Sequence, residues 1–450
     1  MCNYFGTDGI RDKANTGALH YDSLVCIAHA LLDWLNSKNI LHPVIYIGRD
    51  TRLSGKHIET LLANIITLRG GFVRLVDVIP TGAISYAVKS NAADLGIMVT
   101  ASHNPYTDNG LKFFKKNGYK LSDTDEKDIT RFINLNKKEK HIIADNLECV
   151  FEHDKKLIQK YIDFCKSTLK KDISFSDMHV VIDTANGSMY ECAPKLFESL
   201  NIKTTVINSQ PDGLNINDNC GSQYTEELKS TVKLKNADMG IAFDGDGDRC
   251  IIIDENGNEL TGDHLLAIGA LELKRQGSLN NNILVVTTMT NLGIINFIKE
   301  NHINVEICDI GDRKVMEKMD YVSASLGGEN SGHVIYSNFL KTGDGLITAL
   351  QFVSTIKVNK KTISELTNKI ELYPQLIVNV PVTNKPNLQE LIPFREKMNW
   401  ADNLLNNKGR ILVRYSGTES ICRIMVEGEN LNHVNTIAND VSEWIKSNIK

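Results

Sequence analysis

The sequence predicts an α/β protein with three tandem mixed α/β domains and a smaller C-terminal α+β domain. A chain of 450 residues exceeds what one hydrophobic core usually supports, and it indicates three or four domains of ~100–150 residues each. Strand-like and helix-like patterns alternate up to residue 370, and the pattern changes after residue 374. We therefore expect domains at residues 1–150, 151–255, 256–370 and 371–450.

The elements of the first domain follow from short apolar runs alternating with helical patterns. Strands are predicted over residues 43–48, 72–76 and 95–99, with a helix over residues 57–67. A charged, helix-like connector follows over residues 152–169. Strands that alternate with helices in this way imply parallel sheets covered on both faces.

The later elements continue the same alternation and then depart from it. The second domain is predicted to have strands over 179–183, 203–207 and 238–243 and a helix over 192–200. The third is predicted to have helices over 264–273 and 293–300 and strands over 283–287 and 306–309. The last domain is predicted to have strands over 376–380, 410–414 and 423–427, a polar helix-like stretch after the first of them, and a helix over 432–446.

Composition excludes several classes of function. The formal charge of −5 gives no general reason to bind nucleic acid, and no apolar run approaches the ~20 residues that span a bilayer. The N-terminus lacks a signal-peptide pattern, so we expect a cytoplasmic protein. Nine scattered cysteines with no Cys-x-x-Cys pair favour reduced thiols over disulfides or a zinc site.

A polar turn, TASHNP at residues 100–105, follows the predicted buried strand 95–99. Ser102 therefore stands at the C-terminal end of a strand, where α/β proteins place their chemistry. Taken alone, these are ordinary turn residues and would do no more than reverse the chain.

The loop DGDGDR at residues 244–249 is the most specific local signal. Its carboxylates Asp244, Asp246 and Asp248 alternate with glycines and can converge on one hard cation such as Mg²⁺. A calcium EF-hand is excluded because its sixth position is Arg249 rather than Gly and because strand-like runs flank it. An aspartate of this loop could also act as a nucleophile that carries a phosphate. It is a less favoured carrier than Ser102, since metal coordination uses all three carboxylates.

The segment RYSGTES at residues 414–420 lies between two predicted strands and offers a guanidinium, hydroxyls and backbone N–H groups to an anion. Ser-Gly-Thr is also a common hairpin turn. Arg414, together with Arg423 on the next strand, favours a phosphate site.

A second glycine-rich turn, GGENSGH at residues 327–333, supplies a carboxylate, an amide, a hydroxyl and an imidazole. These groups suit sugar hydroxyls, and His333 can move a proton near neutral pH, although a lone histidine is more often structural. Further cations stand in FGTDGIR at residues 5–11, in the loop at residues 48–54 and at Lys112. If the strand ends converge, these cations offset the charge of phosphate groups, and Ser102 becomes a candidate phosphate carrier.

Five motifs in order, FGTDGIR, TASHNP, DGDGDR, GGENSGH and RYSGTES, resemble those of the α-D-phosphohexomutases, and the match extends over essentially the whole chain. The segments PDGLNIN, CGS, GDR and TGDGLITAL are similar to the bacterial phosphoglucosamine mutase branch, which supplies UDP-N-acetylglucosamine and cell-wall precursor synthesis. The resemblance implies four domains around a central cleft. It implies one Mg²⁺ per subunit, a glucosamine 1,6-bisphosphate intermediate, a sugar phosphate as substrate and a possible homodimer.

The resemblance also assigns residue roles. It implies that Ser102 carries the phosphate and binds Mg²⁺ together with the Asp triplet. Its transfer or proton groups are Arg11, Lys112, Arg249 and His333, to which we add His103. Its substrate-binding groups are Glu329 and Ser331 for the sugar and Arg414, Ser416, Gly417, Thr418 and Arg423 for the distal phosphate, to which we add Asn330 and Arg313.

Two departures from the family pattern bear on function. Asp12 stands where the family usually has Gly, which matters if that backbone needs a positive φ angle. Asn330 stands where the glucosamine enzymes usually have Gln, so the amide has a shorter reach. The alternatives are a phosphomannomutase or phosphoglucomutase, a non-catalytic sugar-phosphate-binding protein and a phosphohydrolase. The general base is left open between His333 and Lys112.

Overall fold

The computed structural model of the chain describes residues 4–6, 8–138, 151–170, 173–416 and 420–449. These residues form two compact units. The larger comprises the described residues of Met1–Met289 and Ile303–Thr367, and the smaller those of Thr290–His302 and Asn368–Lys450. The larger unit contains three sheets and the smaller unit contains one.

The first sheet has six strands, which in chain order are β1 (Ile10–Lys13), β2 (Val44–Arg49), β3 (Phe72–Val78), β4 (Leu95–Val99), β5 (Asp108–Lys115) and β6 (Glu152–His153). They lie side by side in the order β1-β5-β4-β2-β3-β6. Its helices are α1 (Tyr21–Ser37), α2 (Gly55–Leu68), α3 (Thr81–Ser90) and α4 (Asp123–Asn136). Leu24, Ile27 and Leu31 of α1 recur at helical spacing and join the buried core.

The second sheet has five strands, β7 (His179–Asp183), β8 (Lys203–Ile207), β9 (Met239–Phe243), β10 (Cys250–Ile253) and β11 (Glu259–Leu260). Their order is β11-β10-β9-β7-β8. The accompanying helices are α5 (Leu157–Ser167), α6 (Met189–Ser199) and α7 (Glu226–Lys235). Every residue of β9 and β10 is buried, so the DGDGDR loop joins two apolar strands as the sequence predicts.

The third sheet has four strands, β12 (Ile283–Thr287), β13 (Asn304–Cys308), β14 (Leu326–Gly328) and β15 (Val334–Tyr336), in the order β13-β12-β14-β15. The helices of this part of the chain are α8 (Gly262–Arg275), α9 (Leu292–Glu300), α10 (Asp312–Val322), α11 (Gly345–Asn359) and α12 (Ile363–Thr367). Of these, α9 falls within the smaller compact unit.

The smaller unit has an antiparallel sheet of β16 (Gln375–Pro381), β17 (Gly409–Tyr415) and β18 (Ile421–Gly428), with β18 in the centre. The helices that follow its first and last strands are α13 (Ile392–Leu405) and α14 (Leu431–Asn448). Val434, Ile437, Ala438 and Val441 of α14 are buried in its core.

The predicted fold class is confirmed, with one correction to the strand directions. The inner pairs of the first three sheets are parallel, as expected. Each sheet also contains antiparallel strands, among them β5, β10 and β15, which return directly from a turn. The helix-like connector contains β6 before α5, so the first sheet extends beyond residue 150.

The described residues settle two local expectations, one on the cysteines and one on Asp12. Each of the seven described cysteines is a free thiol, as expected. Asp12 adopts strand geometry without a positive φ angle, and its carboxylate accepts a hydrogen bond of 2.9 Å from the backbone of Ala18. Within the described ranges, every helix is too short or too polar to cross a bilayer.

Candidate active site

Ser102 and the DGDGDR loop meet at the C-terminal ends of β4 and β9. The Ser102 hydroxyl donates a hydrogen bond of 2.7 Å to Oδ2 of Asp244. The turn between β14 and β15 brings His333 to the same region, since it lies near enough to Asp248 to interact with it electrostatically. Three of the sequence-predicted loops are therefore brought together within the larger unit.

The backbone of Ser102 is held in an unusual conformation. Its φ angle is +54°, in the left-handed region, and the residue is buried. Its N–H donates to the Thr100 hydroxyl at 2.9 Å, and that hydroxyl donates in turn to Asp50 at 2.6 Å. A non-glycine residue in this region costs of order 1 kcal/mol or more and persists where its surroundings over-determine it.

The Asp triplet is buried and could hold a metal ion. One carboxylate oxygen from each of Asp244, Asp246 and Asp248 lies within 4.8 Å of the others. Oδ1 of Asp246 and Oδ1 of Asp248 are buried without a hydrogen-bond partner in the described part of the chain. Buried carboxylate oxygens rarely lack a partner, and hard cations prefer such ligands, so the residues present fit a divalent metal.

The charges within the triplet perturb one another. Burial, with the neighbouring carboxylates of Asp246 and Asp248, raises the pKa of Asp244 well above its usual value. Burial would also raise the pKa of Asp248, but the nearby positive charges, Lys112 foremost, hold it below its usual value. The crowding of like charges is thus only partly relieved by the protein.

Lys112 supplies the main compensating charge. It projects from β5 and is 1% exposed, and its Nζ donates to Oδ2 of Asp246 at 2.7 Å and to Oδ2 of Asp248 at 2.6 Å. Asp8 lies 3.0 Å from the same nitrogen. Burial would lower the pKa of Lys112, but these carboxylates raise it well above its usual value.

Thr81, at the start of α3, also binds the loop at residues 244–249 (the metal loop). The sequence analysis did not identify it as a site residue. Its hydroxyl donates to Oδ2 of Asp246 at 2.5 Å, and its backbone N–H donates to the Asp246 carbonyl at 2.9 Å. The hydroxyl bond fixes Oδ2 of the Asp246 carboxylate, and Oδ1 has no hydrogen-bond partner among the described residues. The contact could not be read from the local sequence, because Thr81 and Asp246 are 165 positions apart.

Arg11, His103 and Arg249 lie around Ser102. The Arg11 guanidinium donates to Asp8 at 3.1 Å, and the Arg249 backbone N–H donates to Asp244 at 3.1 Å. Nδ1 of His103 is 3.3 Å from the Ser102 hydroxyl oxygen. Burial and the cations Arg249 and Arg11 lower the pKa of His103 to about 4, which favours a neutral ring.

A row of charges of alternating sign runs from the metal loop towards His333. Asp8 bridges Lys112 and Lys120, and Lys120 also pairs with Asp312. Oδ2 of Asp312 lies 3.9 Å from Nε2 of the buried His333. Lys120 and Asp312 were missed because their partners are distant in sequence.

The predicted sugar-binding residues occupy the turn after β14. Oε1 of Glu329 accepts the Gly311 N–H at 3.0 Å, and the Asn330 carbonyl accepts from Gly262. The Ser331 hydroxyl is buried and, among the described residues, has no partner. Both ring nitrogens of His333 likewise lack a hydrogen bond within the described ranges, although Asp312 is near.

Arg313 faces a different set of partners. Its guanidinium lies 2.5 Å from Asp123 and 2.7 Å from Glu126 on α4. It thus ties α10 to the first part of the chain, and its role in binding substrate stays a prediction.

The arginines of the loop at residues 48–54 bind groups of the protein itself. The sequence left them open between ordinary surface charges and cations that offset phosphate charge. Arg49 pairs with Glu59 at 3.2 Å. Arg52 is buried and bonds to Asp50 and to backbone carbonyls of residues 102–108. Sequence alone cannot distinguish an arginine that faces a cleft from one whose N–H donors are bonded to backbone carbonyls.

The predicted phosphate loop lies in the smaller unit. Arg414 on β17 and Arg423 on β18 are direct cross-strand partners, and the Ser416 N–H donates to Ile421 at 2.9 Å. Like charges directly opposite each other destabilise a strand pair. The binding of a phosphate by Arg414 and Arg423 stays a prediction. Gly417 and Thr418 lie outside the described residues.

Comparison with protein families matches four domains in order along the chain. They are described as phosphoglucomutase/phosphomannomutase alpha/beta/alpha domain I over residues 2–140, domain II over 159–257, domain III over 261–373 and the C-terminal domain over 377–443.

Curated relatives and solved structures agree with this match. The chain is 41% identical to a phosphoglucosamine mutase of Clostridium botulinum (strain Langeland) over 459 residues and 42% identical to one of Caldicellulosiruptor bescii over 455, with 100% of each chain covered. A phosphoglucomutase/phosphomannomutase family protein from Burkholderia thailandensis has the same fold, with a TM-score of 0.78 at 19% identity over 98% of this chain and 97% of that one.

An N-acetylphosphoglucosamine mutase of Aspergillus fumigatus, solved with GlcNAc-6P and magnesium, superposes with a TM-score of 0.63 at 17% identity, covering 99% of this chain and 96% of that one. At this identity the likeness concerns the fold alone. With four matched domains and full-length relatives above 40% identity, the chain belongs to the phosphoglucomutase/phosphomannomutase family, and its resemblance to the α-D-phosphohexomutases is confirmed.

Proposed function

We propose that the chain is a phosphoglucosamine mutase that interconverts glucosamine 6-phosphate and glucosamine 1-phosphate through phospho-Ser102. The observation that carries this proposal is the 2.7 Å hydrogen bond between the Ser102 hydroxyl and Asp244, beside two unpartnered carboxylate oxygens. A hydroxyl in this position can carry a phosphoryl group next to a bound cation. The relatives named phosphoglucosamine mutase support the choice of substrate.

We assign the metal site to Asp244, Asp246 and Asp248 together with the phosphate on Ser102, and the metal to Mg²⁺. A bound Mg²⁺ would neutralise charge on the transferring phosphoryl group, which is the main task in such a reaction. Lys112 donates to Oδ2 of Asp246 and of Asp248, and Thr81 donates to Oδ2 of Asp246, which leaves the Oδ1 atoms of these two carboxylates for the ion. Arg11 and Arg249 add positive charge beside Ser102.

In the first half of the reaction the phosphoryl group moves from Ser102 to the sugar. The bond between Ser102 Oγ and phosphorus breaks, and the hydroxyl oxygen on C1 of glucosamine 6-phosphate forms a new bond to phosphorus. The proton of that hydroxyl passes to a base, for which His333 is the candidate; the sequence also left Lys112 open, but its raised pKa keeps the ammonium protonated. Ser102 Oγ takes up a proton, which balances the one given to the base, and so recovers its hydroxyl; the product is the 1,6-bisphosphate.

In the second half the bisphosphate reverses its orientation and returns the 6-phosphate to Ser102. Ser102 Oγ forms a new bond to phosphorus and gives up its proton as the phosphorus–oxygen bond at C6 breaks, the C6 oxygen takes up a proton to become a hydroxyl, and glucosamine 1-phosphate leaves. Glu329, Asn330 and Ser331 would hold the sugar hydroxyls in both orientations. Arg414, Ser416, Gly417, Thr418 and Arg423 would bind whichever phosphate is not reacting.

The experiment that tests this proposal compares three substrates with one purified sample. Glucosamine, glucose and mannose 6-phosphates are each supplied with Mg²⁺ and a trace of the matching 1,6-bisphosphate, and both the 1-phosphate and free phosphate are measured. We expect the highest kcat/KM for the glucosamine substrate and no accumulation of free phosphate. Preference for glucose or mannose would give the neutral-hexose alternative, release of phosphate would indicate a phosphohydrolase, and no turnover would indicate a binding protein.

A further inference from the structure

Arg52 is an unusual arginine because the protein uses its whole hydrogen-bonding capacity. Its side chain is fully buried. Nε donates to Asp50 at 2.8 Å, Nη1 donates to the carbonyls of Pro105 and Asp108, and Nη2 donates to the carbonyls of Ser102 at 2.9 Å and Asn104 at 2.8 Å. A guanidinium has five N–H donors. Arg52 therefore has no donor left for a substrate or a phosphate group.

Asn217 approaches the same loop from the second part of the chain. Its Nδ2 donates to the Ser102 carbonyl at 2.9 Å and to the Asn104 carbonyl at 3.1 Å. Gly245 of the metal loop packs against this junction, since a Cβ there would lie 2.7 Å from the Ser102 oxygen and 2.8 Å from Asn217 Nδ2. The Ser102 carbonyl thus accepts hydrogen bonds from Arg52 and Asn217, and Gly245 of the metal loop packs against it.

We propose that Arg52 and Asn217 are positioning residues for phosphoryl transfer, which fix the backbone of the Ser102 loop so that Oγ stays beside Asp244. The inference rests on the proposed role of Ser102 as the carrier. Neither side chain touches the transferred group. Each acts through the carbonyl of Ser102.

Ser102 needs such positioning because of its backbone conformation and because of the reaction it is proposed to carry out. Ser102 has a φ angle of +54°, which a serine avoids without external restraint. In each catalytic cycle Oγ loses a phosphoryl group and must then meet a second one in line. A misplacement of about 1 Å can cost ~100-fold in rate, so contacts to the Ser102 carbonyl that never meet the transferred group can still control the rate.

The test uses variants that remove the donors while sparing the fold. Asn217→Gly keeps the left-handed backbone, since Asn217 has a φ angle of +58° that glycine adopts freely, and it removes only the amide. Asn219→Gly is a matched control, because Asn219 is exposed, has a φ angle of +52° and bonds only to Asp218 among the contacts described. Arg52→Lys keeps the charge beside Asp50 but cannot reach four carbonyls at once.

Two readouts separate positioning from a merely structural role. The first is the single-turnover rate of phosphoryl transfer from the phosphorylated enzyme, normalised to the phosphate it carries. The second is the ³¹P NMR signal of phospho-Ser102. We expect transfer to slow ~10-fold in Asn217→Gly and ~100-fold in Arg52→Lys, with KM within a factor of about three and a broadened or shifted phosphorus signal. Asn219→Gly should match the wild type in both.

The outcomes decide the inference separately from the proposed function. Wild-type transfer rates per bound phosphate in Asn217→Gly and Arg52→Lys would overturn the positioning role, even if both variants were less stable. If Arg52→Lys does not fold, Asn217→Gly alone decides. Ser102→Ala is run in parallel. If it still accepts phosphate from the bisphosphate, the assignment of Ser102 as the carrier fails. If Ser102→Ala accepts no phosphate while Asn217→Gly and Arg52→Lys transfer at the wild-type rate, only the positioning role is contradicted.

Discussion

Ser102 donates a 2.7 Å hydrogen bond to Asp244, a residue 142 positions later in the chain. Each residue follows a fully buried strand, β4 for Ser102 and β9 for Asp244. The contact joins the candidate phosphate carrier to the only cluster of His, Cys, Asp and Glu side chains in the described ranges that could hold a metal ion.

Replacing Asp246 by asparagine should remove most of the metal-dependent activity. The change deletes the charge of a carboxylate whose Oδ1 is buried without a partner in the described structure, and so weakens the hold on a cation. We expect turnover to fall ~100-fold or more, with a higher Mg²⁺ concentration needed for half-maximal rate. Steady-state rates across a Mg²⁺ titration measure both effects, with the exposed Asp218→Asn as the control. An unchanged Mg²⁺ requirement would count against the triplet.

Lys112→Met should make the fold unusually dependent on divalent metal. Methionine keeps most of the apolar stem but removes the charge that pairs with Asp246, Asp248 and Asp8. Leaving buried carboxylates unpaired costs about 3–5 kcal/mol. We expect a lower thermal midpoint without metal and a larger rise on adding Mg²⁺ than in the wild type.

The control for that experiment lies on the same strand. Lys115 is 33% exposed, and its partner Asp125 keeps Lys38 and Ser122 as partners when Lys115 is lost, so no carboxylate is left unpaired. Lys115→Met should therefore lose little stability and should respond to Mg²⁺ as the wild type does. Equal responses of all three proteins would contradict the buried charge pairing.

Gly245→Ala should impair the site by steric contact alone. Its Cβ would lie 2.7 Å from the Ser102 carbonyl oxygen, closer than real Cβ contacts allow, and the φ angle of Gly245 is not in the positive range. We expect the Ser102 loop and the metal loop to be pushed apart, with a fall of ~10-fold or more in kcat. Gly55→Ala is the control, because its Cβ meets only ordinary contacts beyond 3.4 Å. Wild-type kcat in Gly245→Ala would mean that the two loops need not touch.

His264 should make stability depend on pH. Burial lowers the pKa of this residue to about 4 from 6.5, and Nδ1 accepts a hydrogen bond from the Thr261 N–H at 3.2 Å. The unfolded chain therefore takes up the proton first as pH falls. The stability contributed by the neutral ring is present above pH 6.5 and is lost towards pH 4.

The measurement compares the wild type with His264→Asn, whose side chain can accept the same bond without titrating. Between pH 7.5 and pH 5 the wild type should lose about 2 kcal/mol more of unfolding free energy than the variant. Urea unfolding at both values tests this. Parallel pH profiles would show that His264 is not held neutral.

Much of the fold could be predicted because continuous apolar runs between polar turns identify buried strands. Four strands, β4, β7, β8 and β12, begin and end at the predicted residues. Others were missed for physical reasons. The strand β14 is only Leu326–Gly328, and two of its three residues are glycines, which read as a loop.

The site was predictable where its chemistry is local and not where it depends on distant partners. The alternating carboxylates of the DGDGDR loop predict a metal site from local sequence alone. Thr81, Lys120 and Asn217 take their meaning from residues more than 100 positions away, which a single sequence does not reveal. Arg52 shows the same limit, because the sequence left it open between a surface charge and one that offsets phosphate, while its donors serve the backbone.

The central claim is that Ser102 carries the phosphoryl group, and one labelling experiment tests it most directly. The purified protein is incubated with Mg²⁺ and glucosamine 1,6-bisphosphate labelled with ³²P, separated from free label, digested, and its labelled peptide is sequenced by mass spectrometry. We predict that the label lies on Ser102 and is transferred to sugar when unlabelled glucosamine 6-phosphate is added. Label on any other residue, or label on Ser102 that the sugar cannot remove, would contradict the account.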